Sequence, residues 1–401
     1  MHFTVIFAFQ MIIDILIRLP FNFAFKFKVH LKNGLTARRQ NLKSSSTTTT
    51  HHHVNHSQHH NHHHLHHSNT QESSPDYLIN EVQLTLLKYL PLRTISRLWG
   101  FMTSIYLPTW LRPSILGCYS RLFNCQLKEA EIDDFRLYPN LRQFFTRSLK
   151  PGLRPIALGD NLVSPVDGTV LHFGLVKEGN IEQIKGVNFT TRSFLGPQVW
   201  GSLEKGVNNI KCIDNDDETL NNYTERLKVN QDNCLYNCVI YLAPGDYHRF
   251  HSPAQWKVAF RRHFPGYLLS VHPSFVGRVK GLFTINERVS YLGSWAHGFF
   301  SMTAVGATNV GSVKTYFDPS LKTNKFNWRK TPNPYNDKVF DESVNFNKGD
   351  PFGEFNLGST IVLLFEGPRK WRFSVSPGSK VKYGQLLFNN TSSTNKISPT
   401  R

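Results

Sequence analysis

The chain has 401 residues, enough for two or three domains on a prior of about 150 residues per domain, and 40% of them are hydrophobic, so a sizeable core can form. Its formal net charge is +18, which excludes an acidic, self-repelling coil and favours an anionic partner, either nucleic acid or an anionic membrane surface. Five cysteines at 118, 125, 212, 234 and 238, none in a C-x2-C pair, exclude a disulfide-stapled mini-fold and give no structural zinc pattern.

Residues 1–40 read as a targeting segment. The stretch 3–25 is strongly apolar, but Asp14, Arg18 and Pro20 interrupt it, and a spanning helix wants about 20 clean apolar residues. Basic residues recur from Arg18 to Lys43 against the single acid Asp14, the composition of an organellar presequence. Residues 41–75 form a low-complexity linker of Ser, Thr and His runs, a polar expansion too poor in apolar residues to fold.

The segment 76–134 reads as helical and membrane-associating. Leu92, Ile95, Leu98 and Trp99 fall at helical spacing, with Arg93 and Arg97 on another face. Phe101, Met102, Ile105, Tyr106, Trp110 and Leu111 follow, broken by Pro108 and Pro113; aromatic and cationic side chains together suit a bilayer interface. An ordinary core-packing helix gives the same spacing.

From about 135 to 401 the texture becomes short β-type runs punctuated by Gly and Pro, such as 169–173, 238–242, 299–305 and 360–365. That rhythm predicts an α+β, β-rich catalytic domain resembling a barrel or sandwich. Two polar insertions, 201–233 and 319–348, read as loops.

Three clusters carry potential chemistry. Asp167-Gly168 follows Ser164-Pro165-Val166, and an Asp-Gly pair alone is ordinarily a turn. The second cluster, 243–253, contains His248 and His251 between Pro244 and Pro253; one helical turn would aim both rings at one site. No third ligand stands at a metal spacing, so the pair is read as proton carriers. In the third, Gly358-Ser359 sits between a Gly-rich approach and the apolar run 361–365, placing a hydroxyl at a strand mouth beside a glycine carbonyl. The Gly-x-Ser-x-Gly elbow of α/β-hydrolases is absent there.

Taken together these segments resemble the phosphatidylserine decarboxylase proenzymes of mitochondrial type. The resemblance covers roughly 92–388. It rests on Asp246-Tyr247-His248-Arg249-Phe250-His251-Ser252-Pro253 and Phe355-Asn356-Leu357-Gly358-Ser359-Thr360. The Asp167 block, 144–151, 261–266, 286–289 and 305–313 support it in the same order.

The resemblance implies a self-cleaving chain. Asp167 would support His251, which would take the proton from Ser359 Oγ, and that oxygen would attack the Gly358 carbonyl. Ester formation and β-elimination would then leave a pyruvoyl group derived from Ser359, the covalent cofactor. It would cap an α chain of 359–401, and the β chain would end at Gly358. Strain at Gly358 would help. The pyruvoyl carbonyl would form a Schiff base with phosphatidylserine and accept the electrons released with CO2. His248 would assist decarboxylation or proton transfer, and the product would be phosphatidylethanolamine.

The implied partners are the substrate lipid, an anionic membrane surface, the chain's own α and β pieces as a heterodimer, and a homodimer beyond that. No metal and no nucleic acid are expected. The implied place is the mitochondrial inner membrane. The alternatives from other classes are a self-processing serine hydrolase using the same three residues and a basic, non-enzymatic lipid-binding protein. Another pyruvoyl decarboxylase with a soluble substrate is a third.

Overall fold

The computed structural model describes residues 78–389 except 80, 160, 185, 199–218, 309–311, 326–333, 357 and 358. The presequence-like stretch, the His-rich tract and Gly358 therefore lie outside the described residues. Contacts divide the chain between Pro75 and Asp76, and every described residue belongs to the second unit.

The architecture is mixed α+β and strand-rich. Its centre is an eight-stranded sheet of β2 (Gly168–Leu175), β5 (Cys234–Leu242), β7 (Trp256–Phe264), β8 (Arg288–Trp295), β9 (Gly298–Val305), β11 (Asn336–Phe346), β13 (Ser359–Gly367) and β15 (Lys380–Val381). The strand order is β11-β7-β8-β9-β13-β5-β2-β15, antiparallel throughout. The order has two ends, β11 and β15, so the expected barrel is not closed. The four apolar runs noted in the sequence are the strands β2, β5, β9 and β13.

Both faces of this sheet are covered, which is why its central strands are apolar without alternation. Along β13, Ile361, Leu363 and Phe365 enter one core, while Val362 and Leu364 enter the other. Two three-stranded sheets roof the first core. One is β1 (Leu162–Val163), β16 (Leu386–Asn389) and β14 (Arg372–Phe373); the other is β10 (Val313–Thr315), β12 (Pro351–Phe355) and β6 (Arg249–His251). Phe250, Phe352, Phe355 and Phe388 from these small sheets interleave there with Trp256 and Phe300. The second core lies under the hairpin β3 (Asn180–Ile184) and β4 (Val187–Thr190) and under short helices, numbered below in chain order.

Among the described residues the chain opens with α1 (Glu81–Tyr89), α2 (Leu92–Ser104) and α3 (Arg112–Leu122). After α4 (Leu141–Phe145) come α5 (Thr191–Leu195), α6 (Leu220–Leu227), α7 (Pro273–Val276) and α8 (Leu282–Ile285). The last four supply Phe194, Tyr223, Phe275 and Phe283 to the second core.

Helix α2 divides the predicted stripe. Trp99 is buried, whereas Leu98 and Phe101 are exposed. Arg93 is not a solvated flank: it donates to Glu287 Oε2 at 2.8 Å and to the Gly266 carbonyl. Among the described residues no helix is long and apolar enough to cross a membrane.

The two polar insertions are not simply loops. Residues 336–346 form the edge strand β11, with Phe340, Val344 and Phe346 turned to the first core, Asp341 and Glu342 exposed, and Asp337 and Lys338 paired with the buried Arg262 and Asp318. An edge strand wets one face, so its composition reads as polar. In 201–233, α6 is amphipathic and buries Tyr223, Thr224 and Leu227.

A buried carboxylate fixes one end of β13. Glu366 accepts from the Val229 and Asn230 backbone N–H groups, both at 2.8 Å, from Phe299 N–H at 2.9 Å and from Asn233 Nδ2 at 3.0 Å. Glu366→Ala would remove the acceptor from three backbone N–H groups, of which that of Phe299 is buried, and leave Asn233 only the His297 carbonyl. It should lower stability by about 3 kcal/mol or more, read as a fall in Tm of roughly 5–10 °C in a thermal melt.

Candidate active site

The turn that carries the two histidines is set by a glycine. A Cβ on Gly245 would meet the Phe123 carbonyl oxygen at 1.8 Å, so only glycine lets the chain pass there. After it, 247–248 run irregularly into β6, and the predicted helical turn does not form. The reason lies in β6 itself, which pairs with β12 (His251↔Pro351, Arg249↔Glu354) and so draws the segment into extended form.

The two rings consequently meet different partners. The His248 ring is fully buried and lies 3.9 Å from the Phe145 ring, centroid to centroid. Its Nδ1 stands 2.8 Å from the Asp246 carbonyl, which can only accept, so Nδ1 carries the proton. Nε2 is then an unprotonated, buried nitrogen with no hydrogen-bond partner. Burial pushes this group down from an ordinary 6.5 to about 3; the Asp246 carbonyl opposes the shift and the Arg147 charge adds to it.

His251 is stacked on Tyr383, with centroids 4.0 Å apart and planes 5° from parallel. Its Nδ1 donates to the Gly349 carbonyl at 3.0 Å, which leaves Nε2 to accept from the Tyr247 hydroxyl at 3.0 Å. Burial lowers it to about 4, against the pull of the Gly349 carbonyl. Both histidines are therefore neutral near pH 7, each with its lone pair on Nε2.

Asp167 is buried just before β2. Gly168 follows it because a Cβ there would meet the Tyr241 carbonyl oxygen at 2.5 Å. The carboxylate does not touch His251. Arg154 holds it with two nitrogens (Nη2 to Oδ2 2.7 Å, Nε to Oδ1 3.3 Å), Lys382 Nζ donates at 3.2 Å and the Tyr383 backbone N–H at 2.9 Å. Arg154 also reaches Glu129 at 2.6 Å. Asp167 and His251 remain neighbours through shared parts. The His251 backbone N–H bonds the Pro165 carbonyl at 2.8 Å, and Tyr383 touches both residues.

Ser359 opens β13 opposite Leu242 of β5. It is fully buried, and its Oγ has no hydrogen-bond partner. By strand alternation it shares a face with Ile361, the face roofed by the small sheet that contains β6, which ends at His251 and follows His248. The approach to Ser359 is tied down: Phe355 N–H bonds the His248 carbonyl at 2.9 Å, and Asn356 bonds Ser312 through both backbone and side chain.

The structure thus gathers His248, His251 and the residues flanking Asp167 under one small sheet. It joins Asp167, His251 and Ser359 by no direct hydrogen bond. Sequence reasoning missed Arg154, Tyr383 and Gly349. Tyr247 lay inside the quoted motif, but nothing in spacing marks the other three as partners of Asp167 or His251. Among the described residues no group of His, Cys, Asp and Glu could hold a metal ion.

The family model for phosphatidylserine decarboxylase matches residues 141–389, more than half of the chain. The chain belongs to the phosphatidylserine decarboxylase family. A mitochondrial phosphatidylserine decarboxylase proenzyme of Pongo abelii is 44% identical over 318 residues, covering 78% of this chain and 75% of that protein. One from Caenorhabditis elegans is 43% identical over 298 residues (74% and 71%), and mitochondrial proenzyme 1 of Saccharomyces cerevisiae is 39% identical over 360 (74% and 72%).

The buried neutral histidines give an acid-stability signature. Their folded-state values lie below the ordinary 6.5, so below pH 6.5 the unfolded chain binds protons that the folded chain refuses. Stability should be unaffected by these groups above pH 6.5 and should fall progressively toward pH 4. Tm measured from pH 7.5 to 4.5 checks this, and replacing His248 with Gln should flatten the decline.

Proposed function

We propose that this chain is a phosphatidylserine decarboxylase proenzyme that cleaves itself between Gly358 and Ser359 and converts phosphatidylserine to phosphatidylethanolamine and CO2. The observation that carries the reading is the reactive-class hydroxyl of Ser359, buried without a hydrogen-bond partner at the mouth of the central strand. A buried hydroxyl in that state costs free energy unless something else uses it. A pyruvoyl group formed from this residue supplies an electron sink for loss of CO2. Its position fits that role, because β13 fixes it rigidly and burial excludes water.

In this reading His251 is the base for self-cleavage. Its Nε2 lone pair is available once the Tyr247 hydroxyl turns away, and Nδ1–H stays anchored on Gly349. Asp167 would support it after exchanging part of its hold on Arg154. His248 has the dry, unpaired nitrogen suited to moving a proton at the substrate carbon. The relatives' names place them in mitochondria, and we assign this chain there too, with its membrane contact through the segment before the catalytic domain. The domain limits of the sequence reading, 1–40, 41–75, 76–134 and 135–401, are part of the same proposal.

Cleavage would leave the pieces locked together. The 359–401 piece contributes β13, bonded on both sides by β9 and β5, together with β15 on β2 and β16 on β1. The two chains should co-elute from a sizing column and separate only in denaturant.

On a denaturing gel with intact mass, the wild-type protein should give a 43-residue fragment, 359–401, with a pyruvoyl terminus unless that tail is further trimmed. Ser359→Ala should remain one chain; a Ser359→Ala protein that still splits removes Ser359 as nucleophile. His251→Ala and Asp167→Ala should also stay uncut. His248→Ala should cleave yet lose about 100-fold or more in CO2 release from phosphatidylserine micelles.

A further inference from the structure

Six arginines are buried among the described residues: 112, 147, 154, 261, 262 and 288. Arg154, Arg261 and Arg262 meet carboxylates. Arg288 donates to three carbonyls, and Arg112 to two at 2.8 Å or less. Arg112 Nη2 and Arg261 Nε also lack a partner, but Arg147 is the most weakly held of the six. It is 4% exposed, yet it has one carbonyl at 3.0 Å (Gly245), another at the 3.5 Å limit (Phe144), and an Nε with no partner. A buried guanidinium so poorly matched is costly unless an anion completes it.

A second guanidinium stands beside it. Arg249 donates through Nε to the carbonyl of Thr146, the residue before Arg147. Neither arginine has a carboxylate within ion-pair distance among the described residues. Both line one cavity of about 270 Å³, together with Thr146, Ser148, Gln143 and Tyr138. The acid in its lining, Glu131, is exposed to water. Two like charges on one concave wall repel, and an anion between them reverses the sign of that interaction.

The cavity adjoins the proposed chemistry. Arg249 follows His248 in the chain, and Phe145, two residues before Arg147, packs tilted against the His248 ring. The mouth is apolar: Ile132 and Leu137 line it and are 40% and 63% exposed. The exposed loop bearing Tyr106 and Trp110 is tied to the same stretch, through Leu107 N–H on the Pro139 carbonyl and Arg112 on the Arg136 carbonyl. A phosphate monoester or free phosphate needs no such apolar rim, whereas a lipid does.

We infer that Arg147 and Arg249 form the subsite for the phosphodiester of the phospholipid headgroup, holding the serine moiety toward His248. This deepens, and rests on, the decarboxylase reading. The test uses the self-cleaved full-length enzyme, with phosphatidylserine in detergent micelles as substrate and soluble glycerophosphoserine, serine and inorganic phosphate as competitors. In the wild type, glycerophosphoserine should inhibit at least ten-fold more tightly than serine, and inorganic phosphate far more weakly than glycerophosphoserine.

Arg249→Gln and Arg147→Lys should shrink the glycerophosphoserine advantage to three-fold or less and raise KM for phosphatidylserine at least ten-fold. If Arg147→Lys fails to fold, seen as an uncut or aggregated chain, Arg249→Gln alone decides. An advantage that is absent in the wild type, or that survives Arg249→Gln unchanged, overturns the subsite. Inhibition by inorganic phosphate equal to that by glycerophosphoserine assigns the site to free phosphate and overturns the headgroup assignment. A wild type that releases no CO2 from phosphatidylserine defeats the decarboxylase reading itself, a distinct result.

Discussion

The strand that begins at Ser359 is the constraint on which the rest of the structure depends. It is bonded on both sides, buried on both faces, and clamped at its far end by four donors on Glu366. A strand held this way cannot adjust to bring its first residue toward a catalytic group. In the proposed reading the groups must come to it, and the small sheet that roofs this core carries His251 in β6 and His248 in the irregular run before it. Rigidity on one side and a short, thinly paired strand on the other is a sensible division for a site that must first react with its own backbone and then with a ligand.

Charge placement around the site follows one rule: the Asp167 carboxylate is satisfied, and His248 and His251 are kept neutral. Asp167 takes donors from Arg154, Lys382 and the Tyr383 backbone. Because these offset its charge, little negative potential is left for His251, and burial then dominates that ring's protonation. Tyr383 touches both groups, Asp167 through its backbone N–H and His251 through its ring. Lys382 and Tyr383 both belong to the segment after Ser359, so any rearrangement of that segment bears on Asp167 and His251 together. A base whose lone pair rests on a tyrosine hydroxyl is masked without being protonated. That state needs only a side-chain rotation to end it.

Much of this was legible in the residues, and what was missed has physical causes. The four apolar runs are strands because a run of β-branched and aromatic residues too short for a helix suits a sheet buried on both faces. The barrel expectation came from strand rhythm, which reports strand number but not closure; β11 and β15 end the sheet as edges. Strand β11 itself was hidden by its polar outer face. His248 and His251 were placed on a helical turn from their spacing of three, but pairing of β6 with β12 is a long-range effect that local spacing does not contain. Position and spacing marked His251 and Ser359, whereas the joint role of Asp167, His251 and Ser359 came from the resemblance. Arg154, Gly349 and Tyr383 could not be marked, since each reaches the site from a segment whose local sequence is ordinary.

The net charge of +18 also takes on a more specific meaning. Spread evenly it would only draw the protein toward anionic surfaces. Many of the cations here are instead engaged: Arg93 on Glu287, Arg154 on Asp167, Arg261 on Asp318, Arg262 on Asp337. Against that background Arg147 and Arg249 stand out as two cations that line one cavity with no carboxylate in ion-pair range among the described residues. Their charges are also those that help hold His248 and His251 neutral, as the smaller part of a shift that burial dominates. An anion seated between the two arginines would offset that contribution, so binding and proton transfer are joined through the same pair of charges. In the proposed subsite the coupling would run in the productive direction, because a proton carrier would gain basicity only when the ligand it must serve is in place.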